Sequence, residues 1–320
     1  MAIIDNKGRI RGIAGSVVFR TYRNKNIVQG KPRKFKQSGA SIRAATEFGL
    51  SSSAAAVIRR TFEPAYFHRD GAAASRTTKQ VYRSLRNSPS CEAGRRDLHN
   101  ANLQDLVGME FNGSSKLSEV LQMNYSVAME KDHLELRLGT FQPRQDVRKA
   151  AGYPKRASLY RIRLMTVAFN FRRECLMYLD MLDLDATSSQ TLAEQTIRLK
   201  AQAEPGWIVM LSMSLLIYDE KDHTGEYLLL NNKGFSPCAI IAAYQSADPG
   251  EPNPEGAEMA DLSDDAEGGL LMEMCRYRGN RLLRKLSKCM NLDIQQEKQR
   301  NVAIKERALP EFGKIQSFRT

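Results

Sequence analysis

Between Leu121 and Leu138, apolar side chains occupy every second position. Leu121, Met123, Tyr125, Val127 and Met129 alternate with polar or small residues. Glu130-Lys131-Asp132-His133 supplies a turn, and Leu134, Leu136 and Leu138 resume the alternation. A period of two sends successive side chains to opposite faces of a pleated strand, so a half-buried strand pair is expected. Further β-prone runs follow at Leu159–Phe171, Cys175–Leu182, Trp207–Tyr218, Glu226–Leu230 and Cys238–Tyr244. Polar turns separate them, among them Asp219-Glu220-Lys221-Asp222-His223-Thr224-Gly225. About seven short runs with turn signals predict an antiparallel sandwich over residues 106–247. Residues 186–203 carry a more helical pattern and are expected to cross between the sheets.

Ahead of this region the period changes. From Ser41 to Arg60, Ile42, Ala45, Phe48, Ser52 and Ala56 recur at helical spacing in an Ala- and Ser-rich background. The expectation is an ordinary core helix; the other reading of the small-residue stripe is a self-association face. Residues Ala73 to Arg86 form the cleanest amphipathic segment. At the helical turn angle, Arg76, Lys79, Arg83 and Arg86 fall within about 80° of one another. Ala74, Thr78, Val81 and Leu85 fall opposite, so this helix has a stripe to bury and a basic stripe to present. Nearer the N-terminus, Val17 to Arg23 is β-prone, Asn24-Lys25-Asn26 turns, and Ile27-Val28-Gln29 returns. Gly30-Lys31-Pro32 then stops the pairing, because Pro donates no ladder bond.

The fold class expected is therefore α+β: a basic N-terminal hairpin arm and short helices, followed by an antiparallel β-sandwich-like domain. The layout is a basic arm over 1–37, a helical segment with a basic face over 38–105, the β domain over 106–247, an acidic loop over 248–268, and a basic segment and tail over 269–320.

Charge sharpens this picture. The 320 residues carry a net charge of +12, with 48 Lys and Arg against 36 Asp and Glu. Residues 1–100 hold 20 basic and 6 acidic side chains; the other 220 hold 28 and 30. A strongly basic front beside a near-neutral body selects a polyanion as partner, since charge governs association rather than fold. Within seventeen residues the arm supplies Arg20, Arg23, Lys25, Lys31, Arg33, Lys34 and Lys36, with Phe19 and Tyr22 between them as stacking platforms. Arg59-Arg60 and Arg95-Arg96 add two doublets. Residues 248–268 hold eight carboxylates, no Lys or Arg, and Pro249, Pro252 and Pro254, which reads as an exposed loop able to compete for the arm.

Catalytic chemistry finds no support. The sequence has no nucleophile elbow, phosphate-binding glycine loop or dinucleotide fingerprint. His68, His99, His133 and His223 are far apart, and Asp261-Leu262-Ser263-Asp264-Asp265 lacks the pattern of a calcium loop. The five cysteines, Cys91, Cys175, Cys238, Cys275 and Cys289, lack paired spacing and read as reduced thiols. No cofactor, metal or small-molecule substrate is expected. The opening Met1-Ala2-Ile3-Ile4-Asp5-Asn6-Lys7 lacks the apolar core of a secretory signal, and no apolar run reaches membrane-spanning length, so a cytoplasmic protein with no membrane contact is expected.

Gly12, the run Gly15-Ser16-Val17-Val18-Phe19-Arg20-Thr21-Tyr22-Arg23, Asn26-Ile27-Val28, Lys31-Pro32 and Phe48-Gly49 resemble the N-terminus of an uncharacterised family of Bacteroidetes-type bacterial proteins. The resemblance covers about residues 8–60. It implies a Gly-x-x-Gly turn, a basic hairpin, a Pro-containing stop, a helix, and a β-rich region beyond. It implies no activity and no catalytic residues. The function expected from the residues is non-enzymatic, sequence-nonspecific binding of RNA or DNA, or nucleoprotein assembly, through Arg20, Arg23, Lys25, Lys31, Arg33, Lys34, Lys36, Arg76, Lys79, Arg83 and Arg86. The alternative is a self-assembling filament or phage-like particle subunit whose arm contacts its neighbours.

Overall fold

The computed structural model describes residues 2–23, 25–31, 37–130, 133–150, 152–154, 156–221, 226–246 and 272–288. Pro32, Arg33, Lys34, Lys36, His223, the acidic segment 248–268, Cys289 and the tail from 291 lie outside the described residues. The chain divides into two compact units, Met1–Ser41 and Ile42–Thr320.

The first unit is a four-stranded antiparallel meander of β1 (Ala2–Ile4), β2 (Ile10–Ala14), β3 (Val17–Tyr22) and β4 (Lys25–Gly30). The expected hairpin is β3–β4, closed at Tyr22 opposite Lys25. Two further strands precede it. Asp5 makes the first turn by accepting from the backbone N–H groups of Lys7 and Arg9. Gly15-Ser16 makes the second as a two-residue loop, with Gly15 at φ +58, the left-handed region such turns require.

α1 (Gly39–Thr61) starts in the last residues of the first unit and runs on as the opening of the second, followed there by α2 (Glu63–Tyr66) and α3 (Ala73–Arg86). The backbone N–H of Ser41 donates to the Ser38 hydroxyl, which caps the start of α1. Then follow β5 (Met109–Glu110), α4 (Leu117–Val120), β6 (Tyr125–Met129), β7 (His133–Leu138), α5 (Pro143–Asp146), β8 (Leu159–Asn170), β9 (Cys175–Thr187), β10 (Gln195–Lys200), β11 (Ile208–Lys221), β12 (Glu226–Leu229), β13 (Cys238–Gln245) and β14 (Met272–Met274). A helix over 279–288 ends the described chain.

Two antiparallel sheets result. The larger runs β14-β9-β8-β11-β13-β5, with β12 also on β11; the smaller runs β10-β7-β6. Alternation along β11 links three layers. Val209, Leu211, Met213, Leu215 and Ile217 share a core with Leu134, Leu136 and Leu138 of β7 and Ile197 and Leu199 of β10. Ile208 and Met210 join the other core, with Leu50, Ala54 and Ile58 of α1 and Val81 and Leu85 of α3. The body is thus a two-sheet sandwich with helices covering the outer face of its larger sheet.

Two expectations are corrected. Residues 195–200 form the strand β10 rather than a helix, although the segment does carry the chain from the large sheet to the small one. Ile197 and Leu199 are buried while Thr196, Arg198 and Lys200 are exposed, a period of two that outweighs the local helical composition. In α1 the buried face is Glu47, Leu50, Ser51, Ala54, Ala55, Val57, Ile58 and Thr61. The stripe read as core lies elsewhere: Ala45 and Ser52 are exposed, and Phe48 is 57% exposed, edge-on to Tyr82. Small residues encircle α1, so its sequence marks no single apolar face.

Candidate nucleic-acid interface

In the N-terminal unit, strand register sorts the expected binding residues. Residues paired across an antiparallel ladder share a face. Arg20 and Tyr22 share theirs with Lys25, Ile27, Ile13 and Arg11. Phe19 lies on the opposite face, paired with Gly12 and Val28. The two aromatics therefore do not form one stacking platform with the cations; Tyr22 alone accompanies them. Arg23 sits in the β3–β4 turn at φ +45, its guanidinium 5.2 Å from the Tyr22 ring centre. Lys31 follows β4, exposed. Among the described residues, Arg20, Arg23, Lys25 and Lys31 make no ion pair.

The basic stripe of α3 divides in two. Arg76 turns into the protein. Its NH1 lies 3.0 Å from Asp70 Oδ2, and it donates to the carbonyls of Glu110 and Phe111. Gly113 N–H completes the cradle on the same Asp70 oxygen at 2.7 Å. Burial works against the Asp70 charge, but Arg76 and the N–H groups of Gly113 and Ala72 outweigh it and hold the carboxyl below its usual range. A Cβ at Gly113 would stand 2.6 Å from Arg76 NH1, so the lock requires glycine there. Arg76 is thus a structural cation, a correction to its reading as a phosphate ligand. Arg83 keeps 67% of its side chain exposed while 3.2 Å from Asp105 Oδ1. Lys79 and Arg86 are exposed, with Arg86 over the Tyr82 ring.

A further cationic constellation lies where α1 ends and α3 begins. A cleft of about 610 Å³ is lined by Arg59 and Arg60 from α1, Phe67, His68 and Arg69 from the α2–α3 link, Ala74 of α3, and Lys233 from the β12–β13 loop. Buried neighbours set Arg59 and the backbone at Lys233. Arg59 donates to Thr77 Oγ1, and its carbonyl accepts from the Tyr66 hydroxyl at 2.8 Å. Tyr66 stacks on Phe111 at 4.8 Å, and its carbonyl accepts from Ser236. The Lys233 carbonyl accepts from Asn112 Nδ2 at 3.1 Å. Burial works against the Arg59 charge and, with the nearby Arg69 and Arg60 guanidiniums, outweighs the support of Tyr66 and lowers its pKa from the usual arginine range. Of the two carboxylates lining the cleft, Asp70 is held by Arg76 and Glu63 forms no ion pair among the described residues. Arg60, Arg69 and Lys233 likewise have no ion pair among the described residues. Cations crowded in this way have their repulsion relieved by an entering anion.

Comparison leaves this site to be read on its own chemistry. No family model, no curated protein and no solved structure matches the chain.

Phe67 gives the cleft an aromatic wall. Its φ is +52, and the residue is 44% exposed. The Arg163 guanidinium lies 5.9 Å from the ring centre, fixed by Asp183 at 2.7 and 2.8 Å and by the Pro64 carbonyl. Arg60 also borders a second cleft of about 350 Å³, with Tyr178 and Arg276 on its wall. Of these residues only the Arg59-Arg60 doublet stands out in the sequence. The fold brings the consecutive Phe67-His68-Arg69 against Arg59-Arg60 and Lys233, and no spacing connects positions 69 and 233.

Four further titratable side chains sit in the core. His99 Nδ1 meets the Gly206 carbonyl at 2.8 Å, and Nε2 accepts from Phe171 N–H at 3.0 Å, as in a neutral imidazole with both nitrogens satisfied. Cys175, Cys238 and Cys275 are buried, and burial raises all three thiol pKa values. Among the described residues no cluster of three or more His, Cys, Asp or Glu side chains gathers as a metal site, and no helix is long and apolar enough to cross a membrane.

Proposed function

We propose that this protein binds nucleic acid, RNA or DNA, without sequence specificity and without catalysis, and that the cleft of Arg59, Arg60, Arg69 and Lys233 is its principal phosphate contact. The observation that carries the reading is the convergence of these four cations from three separate segments, with no ion pair to any described carboxylate. Lys79, Arg83 and Arg86 on α3, and Arg20, Arg23, Lys25 and Lys31 on the N-terminal sheet, supply further contacts. Phosphate binding through Lys and Arg releases counterions, so affinity falls steeply with salt.

The test is a salt titration of oligonucleotide affinity for the full chain and for Arg59→Gln/Arg60→Gln/Arg69→Gln/Lys233→Gln. Removing four contacts flattens the slope of log K against log[salt] by about 3. An unchanged slope and affinity would assign the cations to another purpose.

A second reading has its own observation. One face of the N-terminal sheet, Ala2, Ile4, Ile10, Gly12, Ala14, Val17, Phe19, Thr21, Asn26, Val28 and Gly30, carries no charge, and none of these residues is fully buried. An uncharged, part-exposed sheet face supports self-association into an assembly, alone or around nucleic acid. Size exclusion at low and high salt separates the two: particles that persist without nucleic acid support assembly through this face.

A further inference from the structure

The cleft is a recess and not a flat basic patch, and one of its walls is an aromatic ring. We infer that it receives an unpaired base against Phe67 while the surrounding cations hold the adjoining phosphates, so that single strands are preferred to duplex; this deepens the phosphate-contact reading above and rests on it.

Three observations support the inference. First, Phe67 is exposed although a large apolar side chain gains by burial, and its backbone occupies the left-handed region that bulky residues avoid. Such a conformation persists only where its surroundings impose it. Here they do: Phe67 N–H donates to the Glu63 carbonyl at 3.0 Å, and Tyr66 beside it is anchored to Arg59 and Ser236. The ring is presented to the cleft by rigid neighbours.

Second, the ring is positioned before any ligand arrives. Arg163 packs on it and is itself fastened by Asp183 and the Pro64 carbonyl. A fixed ring loses little freedom on stacking, which favours binding. Stacking on an aromatic side chain needs only a base face, so it tolerates any sequence.

Third, size and access fit a nucleotide. A volume of about 610 Å³ falls in the range of small-ligand pockets. Arg59 and Arg60 stand on one element, Arg69 on a second and Lys233 on a third, so the cleft that Phe67 lines draws its cations from three segments. A base inside a duplex has its faces covered by its neighbours; only an unpaired base can enter a recess and stack.

The experiment measures fluorescence anisotropy of the full chain with three labelled probes: a single-stranded oligodeoxythymidine, a duplex of equal length, and an inorganic polyphosphate of similar charge. The single strand is expected to bind tighter than the duplex. Phe67→Leu weakens the single strand roughly 10-fold, leaves its salt slope unchanged, and leaves polyphosphate affinity unchanged. In a parallel experiment Phe67→Trp serves as a reporter. The native Trp207 is buried, so added oligonucleotide quenches the new indole while polyphosphate does not. This reporter also decides the matter should Phe67→Leu fold poorly.

Unchanged single-strand affinity in Phe67→Leu, or no quenching of Phe67→Trp at saturating oligonucleotide, overturns the inference. If the cleft quadruple variant still loses affinity and slope in that case, the phosphate-contact reading stands without it. If the quadruple variant binds as the wild type does, the underlying reading fails as well.

Discussion

Glu110 shows how single residues set the conditions for this fold. It is buried at β5, and its carboxylate accepts from Leu117 N–H at 2.9 Å and from Ser118. Burial outweighs these bonds and pushes its pKa up to about 7 from an ordinary 4.5. The folded state therefore holds this proton more tightly than the unfolded chain does. Its stabilising contribution is complete below pH 4.5 and is lost as pH rises through 7, on the order of 3 kcal/mol. His99 acts in the opposite direction: burial lowers its pKa, so stability is lost as pH falls below 6.5. Urea unfolding of wild type and Glu110→Gln from pH 5 to 8 isolates Glu110, because the His99 contribution is common to both. The difference between the two curves is expected to shift across that window; parallel curves would contradict the burial argument. Arg76 gives a second residue-scale expectation. Arg76→Gln strands the Asp70 carboxylate and should cost about 1–3 kcal/mol in unfolding free energy. The salt slope of nucleic-acid binding should stay unchanged. A flatter slope with full stability would return Arg76 to the binding face. The four-residue basic stripe was legible on a helical wheel, but which cation meets an internal carboxylate depends on Asp70 and Asp105, brought in by other segments.

At the scale of elements, periodicity decided what could be read. α3 spans Ala73–Arg86 as its amphipathic pattern requires, and β8, β9, β11 and β13 start at or within one residue of their apolar runs. The failures share a cause. β10 is a six-residue alternation inside a longer segment of helical composition, and its strand form depends on pairing with β7. β1 is three residues long and Arg11 interrupts β2, so their pairing comes from the Asp5 and Gly15 turns more than from pattern. The outward and inward faces of α1 could not be separated because alanines and serines surround the helix. Substitution within β10 tests the period of two. Leu199→Ala should cost about 2–5 kcal/mol, and Arg198→Ala, one position away and exposed, less than about 0.5 kcal/mol, both by chemical denaturation. Equal losses would show that this segment does not alternate across the sandwich.

For the whole molecule, charge asymmetry was legible and its focal point was not. The excess of Lys and Arg in the first hundred residues pointed to an anionic partner, and the structure divides those cations by fate. Arg76 and Arg96 are tied to Asp70 and Glu47, whereas Arg59, Arg60 and Arg69 crowd an open cleft without an acidic partner among the described residues. The fold adds Lys233, which sequence distance concealed, and turns the nearby Phe67 onto the cleft wall. Photo-cross-linking of a 5-iododeoxyuridine oligonucleotide to the full-length protein, followed by mass spectrometry of the linked peptides, examines this claim most directly. The expected product is a cross-link within residues 59–69, centred on Phe67 and lost in the presence of excess unlabelled single strand. Competable cross-links confined to positions outside both 59–69 and the β12–β13 loop would contradict it.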